Sequence, residues 1–330
     1  MVKKDKGKKE KFEVSEKEIR VLVEQFYDLQ QLRIKAFGPI VAYVKNHAQE
    51  YGITKASGDE KPYAKVAEKI CRGELPMPKD IRLLVYHFNT LYSHEKYLNK
   101  VLDSWSRNHP LRTAYLNKIY GIGPVLASGI IAWLHPISRF NTVSKLWAYV
   151  GLPAEYYRSE CVKGHVFYTA SKPTACKVRV GTKRIPCGAR LKRVDHFIGA
   201  PKREKGAVSF FNLKLRTFMW KVGKSFEYQN PSKSFYKQMY LKYKDNVTIK
   251  HPDYSASHIR NMTIRWTIKL FLEHLWAVWR QMEGLPVTKP YALEHLGHGE
   301  YIQPHIDKPY IMPFQVVQPK SLEGKEYKAG

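Results

Sequence analysis

Apolar residues recur at three- and four-residue intervals through most of this chain, the period of helices with one buried face. From Val14 to Tyr51, the positions Val21, Phe26, Leu29, Leu32 and Val41 predict one long helix. Ser15 with Glu18 three residues on gives it a start signal, and Gly38-Pro39 a place to bend. Gly52 to Pro78, rich in Gly, Pro and charge, predicts a loop holding a short helix at Tyr63 to Cys71. A second long helix is predicted over Lys79 to Trp105, with Leu83, Leu84, Phe88, Leu91, Tyr92, Leu98 and Leu102 as its stripe. Two such helices in succession make residues 14–108 a helical hairpin, either a coiled-coil arm or ordinary bundle core.

Next come a predicted helix from Leu111 to Ile119 and another starting at Pro124, with Val125, Leu126, Ile130, Ile131 and Leu134 as its apolar positions. The helical period then lapses between Gly151 and Gly206, where Val162 to Thr169 and Lys177 to Ile185 are short β-prone runs. It resumes at Phe210 to Ser225, Ser234 to Lys244 and Ser255 to Glu283, and Trp266, Trp276 and Trp279 of the last helix are assigned to packing. The prolines from Pro286 to Pro319 predict an extended or disordered segment. The fold class is therefore mainly α. It divides into a basic tail (1–13), the helical arm (14–108), a helix-hairpin-helix module (109–155), a β-rich basic insert (156–206), C-terminal helices (207–284) and a Pro-rich tail (285–330).

Charge narrows the class of partner. Lys and Arg number 56 against 29 Asp and Glu, a formal net charge of +27 that calls for a polyanion. No stretch approaches a membrane-spanning helix and no signal peptide follows the start, so a cytoplasmic, nucleoid-associated protein is expected. Between Val162 and Lys205, twelve basic residues stand against Asp195 and Glu204. Lys163, Lys177, Arg179, Lys183, Arg184, Arg190, Lys192 and Arg193, interleaved with Phe167, Tyr168 and Phe197, suit a ribbon lying along a phosphate backbone. Gly121-Ile122-Gly123 lets the chain turn sharply and point backbone N–H groups at a phosphate; the same glycines also serve a merely tight connection.

From about Leu111 to Arg280 the chain resembles the transposase domain of the insertion-sequence 110/116/902 family, whose fuller members are recombinases guided by a bridge RNA. The resemblance rests on Gly121-Ile122-Gly123-Pro124, on Phe140 through Ala148-Tyr149-Val150-Gly151-Leu152, and on Asn212-Leu213-Lys214-Leu215-Arg216. The fourth block is the closing helix with His258, Arg265, Leu270, Leu275 and Trp276. It implies DNA transposition through a serine nucleophile and a DNA contact at Arg216. Counting from Gly151-Leu152 puts that serine at Ser159, in a polar loop, with Arg158 placed to stabilise phosphate charge; Arg158 and Glu160 depart from the family's flanking residues. The family's RNase-H-like domain, whose carboxylates bind magnesium, has no counterpart in the helical pattern before the hairpin. Asp28, Asp59, Asp80 and Asp103 are not assigned as ligands. Two functions follow: a strand-transferring recombinase whose magnesium site comes from a separate RNase-H-like subunit, or a non-catalytic binder of DNA or of a guide or structured RNA. The resemblance also implies assembly as a homo-oligomer through the arm.

A last cluster is independent of the resemblance. Cys161, His165, Cys176 and Cys187 fall inside an insert too small to bury much core, and three thiolates with one imidazole complete a tetrahedral zinc site. The spacing lacks a C-x-x-C, His196 competes as fourth ligand, and buried unlinked thiols are the plainer alternative, with disulfides last.

Overall fold

The computed structural model describes residues 14–53, 61–153, 155–198, 204–288 and 302–307. The expected basic tail and most of the Pro-rich tail lie outside the described residues. The chain divides into two compact units, one of residues 1–108 with 124–133, the other of 109–123 with 134–330.

In the first unit, α1 (Glu16–Asn46) packs along α3 (Arg82–Ser106), and α2 (Lys61–Cys71) packs against α1. The start signal of α1 is a full capping box: Ser15 Oγ accepts from the Glu18 amide while the Glu18 carboxylate accepts from the Ser15 amide. Pro39 lies inside α1, so the helix continues to Asn46 before a 3₁₀ turn at Ala48–Tyr51. Ile40, Val44, Ala67, Ile70, Ile81, Val85 and Phe88 form the core.

The predicted stripes hold only in part. Phe26, Phe88 and Leu102 are buried as expected, but Leu83 is 79% exposed and Val21, Leu32, Leu84 and Tyr92 are also exposed, while Ile19, Val23 and Val85 are buried in their place. The buried face of α3 includes Glu95, which Arg33 Nε binds at 2.5 Å, so an ion pair rather than an apolar residue completes the seam. Helix α5 (Pro124–Leu134) contributes its first ten residues to this unit, where Ser128 Oγ donates to Leu102 O at 2.7 Å and Arg20 Nε to Ala132 O at 2.7 Å.

The second unit is built on α9 (Ala256–Met282), against which α6 (Val143–Val150), α7 (Leu213–Glu227) and α8 (Phe235–Lys250) pack. Thr142, Asn212, Ser234 and Ser255 cap the N-termini of α6, α7, α8 and α9 with their side chains. Helices α7 and α9 approach closely at Gly223, where a Cβ would stand 2.7 Å from both Ile264 and Ile268. Trp276 and Trp279 are buried as expected, and Trp276 Nε1 donates to Phe140 O at 2.7 Å.

The predicted helix Leu111 to Ile119 is broken. A short α4 (Pro110–Ala114) gives way at Tyr115 to a 3₁₀ turn at Leu116–Lys118. The break follows from what Tyr115 does: its ring is fully buried and its hydroxyl lies 3.0 Å from that of Tyr236, which lies 2.9 Å from His274 Nδ1. Burial holds the His274 pKa down to about 3, so the ring is neutral. Its Nε2–H donates to Ile302 O at 2.8 Å, Nδ1 accepts from Tyr236, and Tyr236 accepts from Tyr115. Residues 302–307 are thus laid on this unit, and Asp307 fixes their far end. Its carboxylate accepts from the Tyr120 amide at 2.6 Å and the Phe235 amide at 2.7 Å, while its own amide donates to Lys118 O at 2.9 Å.

The insert carries more strand than its β-prone runs suggest. Strands β1 (Glu155–Cys161), β2 (Val166–Thr169), β5 (Leu191–Ile198) and β6 (Val208–Ser209) form one sheet in the order β5-β1-β2-β6. The pairs are antiparallel except β2 with β6. A separate ribbon pairs β3 (Arg179–Val180) with β4 (Ile185–Pro186).

Candidate nucleic-acid interface and metal centre

Alternation along β1 sends Tyr156, Arg158 and Glu160 to one face and Tyr157, Ser159 and Cys161 to the other. Ser159 therefore sits in mid-strand, opposite Phe167 of β2 and Val194 of β5, and not in the polar loop expected for it. It is fully buried, and its Oγ has no hydrogen-bond partner among the described residues. On the opposite face Arg158 is gripped by Glu204, which takes both Nε and Nη2, and faces Asp195 at 3.5 Å and Glu160 at 3.8 Å. The Glu204 hydrogen bonds, outweighing the cost of burial, raise the Arg158 pKa above its ordinary value and lower that of Glu204. Arg158 is thus a brace that ties β1 to β5 and to the chain before β6.

That brace shapes the surface beyond it. The insert's few carboxylates turn inward to Arg158, and Lys163, Lys177, Arg179, Lys183, Arg184, Arg190, Lys192 and Arg193 are all exposed. Lys183 and Arg184 stand at the turn between β3 and β4, closed by the Arg184 amide donating to Gly181 O. Neither has a carboxylate partner among the described residues, whereas Arg193 Nε binds Asp195 at 2.8 Å and Lys192 lies 3.7 Å from Glu160.

The hairpin glycines play unequal parts. Gly121 has φ +97°, and a Cβ there would meet Ser225 Oγ at 3.0 Å and Phe226 at 3.3 Å; its carbonyl accepts from Ser225 Oγ. It makes the turn and seats it on α7. Gly123 has nothing within 4 Å of such a Cβ. Asp307, which no sequence signal marked, occupies the neighbouring Tyr120 amide.

The four metal candidates converge. Cys161 Sγ, His165 Nδ1, Cys176 Sγ and Cys187 Sγ lie within 4.8 Å of one another, the only such His/Cys/Asp/Glu group among the described residues. His165 Nδ1 stands 3.5 Å from Cys161 Sγ and 3.7 Å from Cys176 Sγ. Tetrahedral zinc with bonds of about 2.3 Å to sulfur and about 2.0–2.1 Å to nitrogen separates such atoms by about 3.5 Å. A tight turn and a backbone bond between two segments bring the ligands together: Gly164 N donates to Cys161 O three residues back, and Gly188 N donates to Cys176 O twelve residues back. Around them lie only Phe167, Val178, Ala189 and Leu191, a core too small to hold the fragment by apolar burial alone. His196, the rival ligand, stacks on Tyr157 and faces Glu155 at 3.3 Å. The donor set fits a structural metal ion. Of the aspartates before the hairpin, Asp28 and Asp80 are exposed, Asp103 pairs with Arg107, and Asp59 lies outside the described residues.

Residues 113–162, from the broken helix through the hairpin, α5, α6 and β1, match the transposase IS116/IS110/IS902 family. Over that segment the chain is similar to transposases of this family. The IS116/IS110/IS902 match takes in Ser159 and Cys161 and ends at residue 162, inside the insert. No curated protein matches the chain. Among the described residues, no helix is long and apolar enough to cross a membrane.

Proposed function

We propose that the chain is the DNA-gripping part of an IS110-type transposase or recombinase, and that the zinc-knit insert at residues 156–206 lies along the duplex backbone. The observation that carries this reading is the segregation of charge. Arg158 gathers Glu160, Asp195 and Glu204, and the basic side chains that remain point outward from a sheet and ribbon. Phosphate contacts of this kind position a protein on DNA without reading its sequence. The metal would be zinc, held by Cys161, His165, Cys176 and Cys187, and would supply folding energy to the insert and no reaction chemistry. Arg216 and the hairpin glycines extend the grip, and the arm at residues 14–108 joins protomers. Fluorescence anisotropy of a labelled duplex, titrated at several salt concentrations, tests the reading: a salt-independent or undetectable affinity refutes it.

Strand transfer through Ser159 is a second reading, favoured by its unpaired hydroxyl within the family-matched segment. It carries a physical condition: Oγ is fully buried, so whatever covers that face of the sheet must move before a phosphodiester can reach it. The magnesium carboxylates must come from an RNase-H-like subunit. With that subunit, DNA and magnesium, wild type forms an adduct that survives denaturant and Ser159→Ala does not. An adduct persisting in Ser159→Ala moves the chemistry elsewhere.

A further inference from the structure

Arg265, Lys269 and Glu273 follow one another at four-residue spacing on α9 and so share a face. Arg265 reaches the turn that leads into β1: its Nη2 donates to Pro153 O at 2.6 Å, and its guanidinium lies 5.4 Å from the centre of the Tyr156 ring. Lys269 Nζ lies 4.2 Å from the Trp147 ring, and Trp147 is fixed by donating Nε1 to Lys269 O. From α7, Arg216 crosses Gly151 so closely that a Cβ there would meet its Cδ at 3.1 Å, with its guanidinium over Phe211. Arg216 and Arg265 thus meet at Gly151 to Pro153, with Lys269 one helical turn from Arg265 over Trp147, and Tyr156 and Phe211 beside them.

What sets them apart is that cations without a carboxylate partner stand together, whereas Arg280, which also lacks one among the described residues, is held alone by Phe140 O and Pro286 O. Arg33, Arg158 and Arg260, also part-buried, each bind a carboxylate. Among the described residues Arg216, Arg265 and Lys269 pair with none. Glu273, the acidic group on the same face, makes no ion pair with Lys269, and burial pushes its carboxyl up to about 7, against the pull of Lys269. Burial, and then the positive charge of Arg265, bring Lys269 down to about 8; burial, and then Arg216, lower Arg265. Holding like charges together in half-buried positions costs stability, and a bound anion repays it.

We propose that Arg216, Arg265 and Lys269 form a phosphate site beside the Gly151–Pro153 turn, which takes a backbone phosphate of bound nucleic acid. The nucleic acid rests on the reading above; the anion site does not, and inorganic phosphate tests it alone. Lys269→Met raises the thermal midpoint in phosphate-free buffer, because an unpaired buried charge is removed. It also abolishes the rise that phosphate produces in wild type. Arg216→Gln, at a less buried position, reduces the phosphate response without unfolding the protein. On a duplex, each substitution flattens the salt slope by about 0.9. A Lys269→Met midpoint that falls, with the phosphate response intact, shows the lysine to be structural and overturns the site. So does a wild type whose midpoint ignores phosphate. If the insert variants weaken duplex binding and these variants do not, this site fails while the nucleic-acid reading stands. If wild type responds to phosphate but binds no duplex, the nucleic-acid reading fails and the site remains.

Discussion

Neutralising the ribbon tip with Lys183→Gln and Arg184→Gln removes two charges that stand free at the turn between β3 and β4. Each phosphate neutralised on duplex DNA contributes about 0.9 to the slope of log affinity against log salt, so the double variant flattens that slope by about 1.8. Between about 50 and about 200 mM salt, a fourfold change, wild type should then lose about twelvefold more affinity than the variant. The comparison that makes this a test of structure is Lys192→Gln with Arg193→Gln. Their charges are partly met by Glu160 at 3.7 Å and Asp195 at 2.8 Å, so fewer counterions leave when DNA binds. That pair should change the slope by clearly less than the tip pair. Anisotropy titrations at five or six salt concentrations, on protein shown folded by circular dichroism, supply all three slopes. Equal slopes in all three proteins, or a larger change in the Lys192 and Arg193 pair, would refute the reasoning that inward carboxylates decide which cations face DNA.

Further outcomes follow from other parts of the molecule. Protein purified without chelator should hold about one zinc per chain, and Cys176→Ser should lose both the metal and the protease resistance of residues 156–206; metal-free protein with a folded insert would end the assignment. Gly223→Ala should destabilise by about 1–3 kcal/mol in urea unfolding, because the added methyl falls 2.7 Å from Ile264 and Ile268 atoms; an unchanged midpoint would mean α7 and α9 have room to part. His274 is depressed to about 3 from an ordinary 6.5, so the unfolded chain takes up its proton first as pH falls. Its contribution is full above about pH 6.5 and lost progressively towards about pH 3. Wild type should therefore lose more stability than His274→Gln across that window, and parallel pH profiles would contradict it.

Much of this was legible in the chain, in a way that depends on whether a signal is local. Ser15, Ser234 and Ser255 announce helix starts because a cap acts within its own turn. The face of α3 was misjudged because Glu95 is buried by Arg33, sixty-two residues away, and no apolar count contains that pairing. Strand β1 hid for the same reason: its Arg158 face is made buriable by Asp195 and Glu204. The metal cluster could be named by residue type yet not by spacing, since the turn at Gly164 and the pairing of Gly188 with Cys176, twelve residues back, replace the usual two-residue separation. Arg265 and Lys269 were passed over inside a helix rich in buried tryptophan; the available signal was two cations four residues apart whose next same-face acid, Glu273, pairs with neither.

The way residues 302–307 are fastened has a practical meaning for anyone dissecting this protein. A boundary drawn at residue 285, just past α9, discards five hydrogen bonds: two into the Asp307 carboxylate, one from its amide, one at Ile302 O and one from Arg280 Nε to Pro286 O. Each is worth about 0.5–1.5 kcal/mol, and those to the charged carboxylate about 1.5–3. The segment also joins the loop before Gly121 to the first turn of α8, positions more than a hundred residues apart in the chain. A fragment cut at residue 285 would keep every helix of the second unit and still release the lock between them, whereas one extended through residue 307 keeps the hairpin registered on its neighbours.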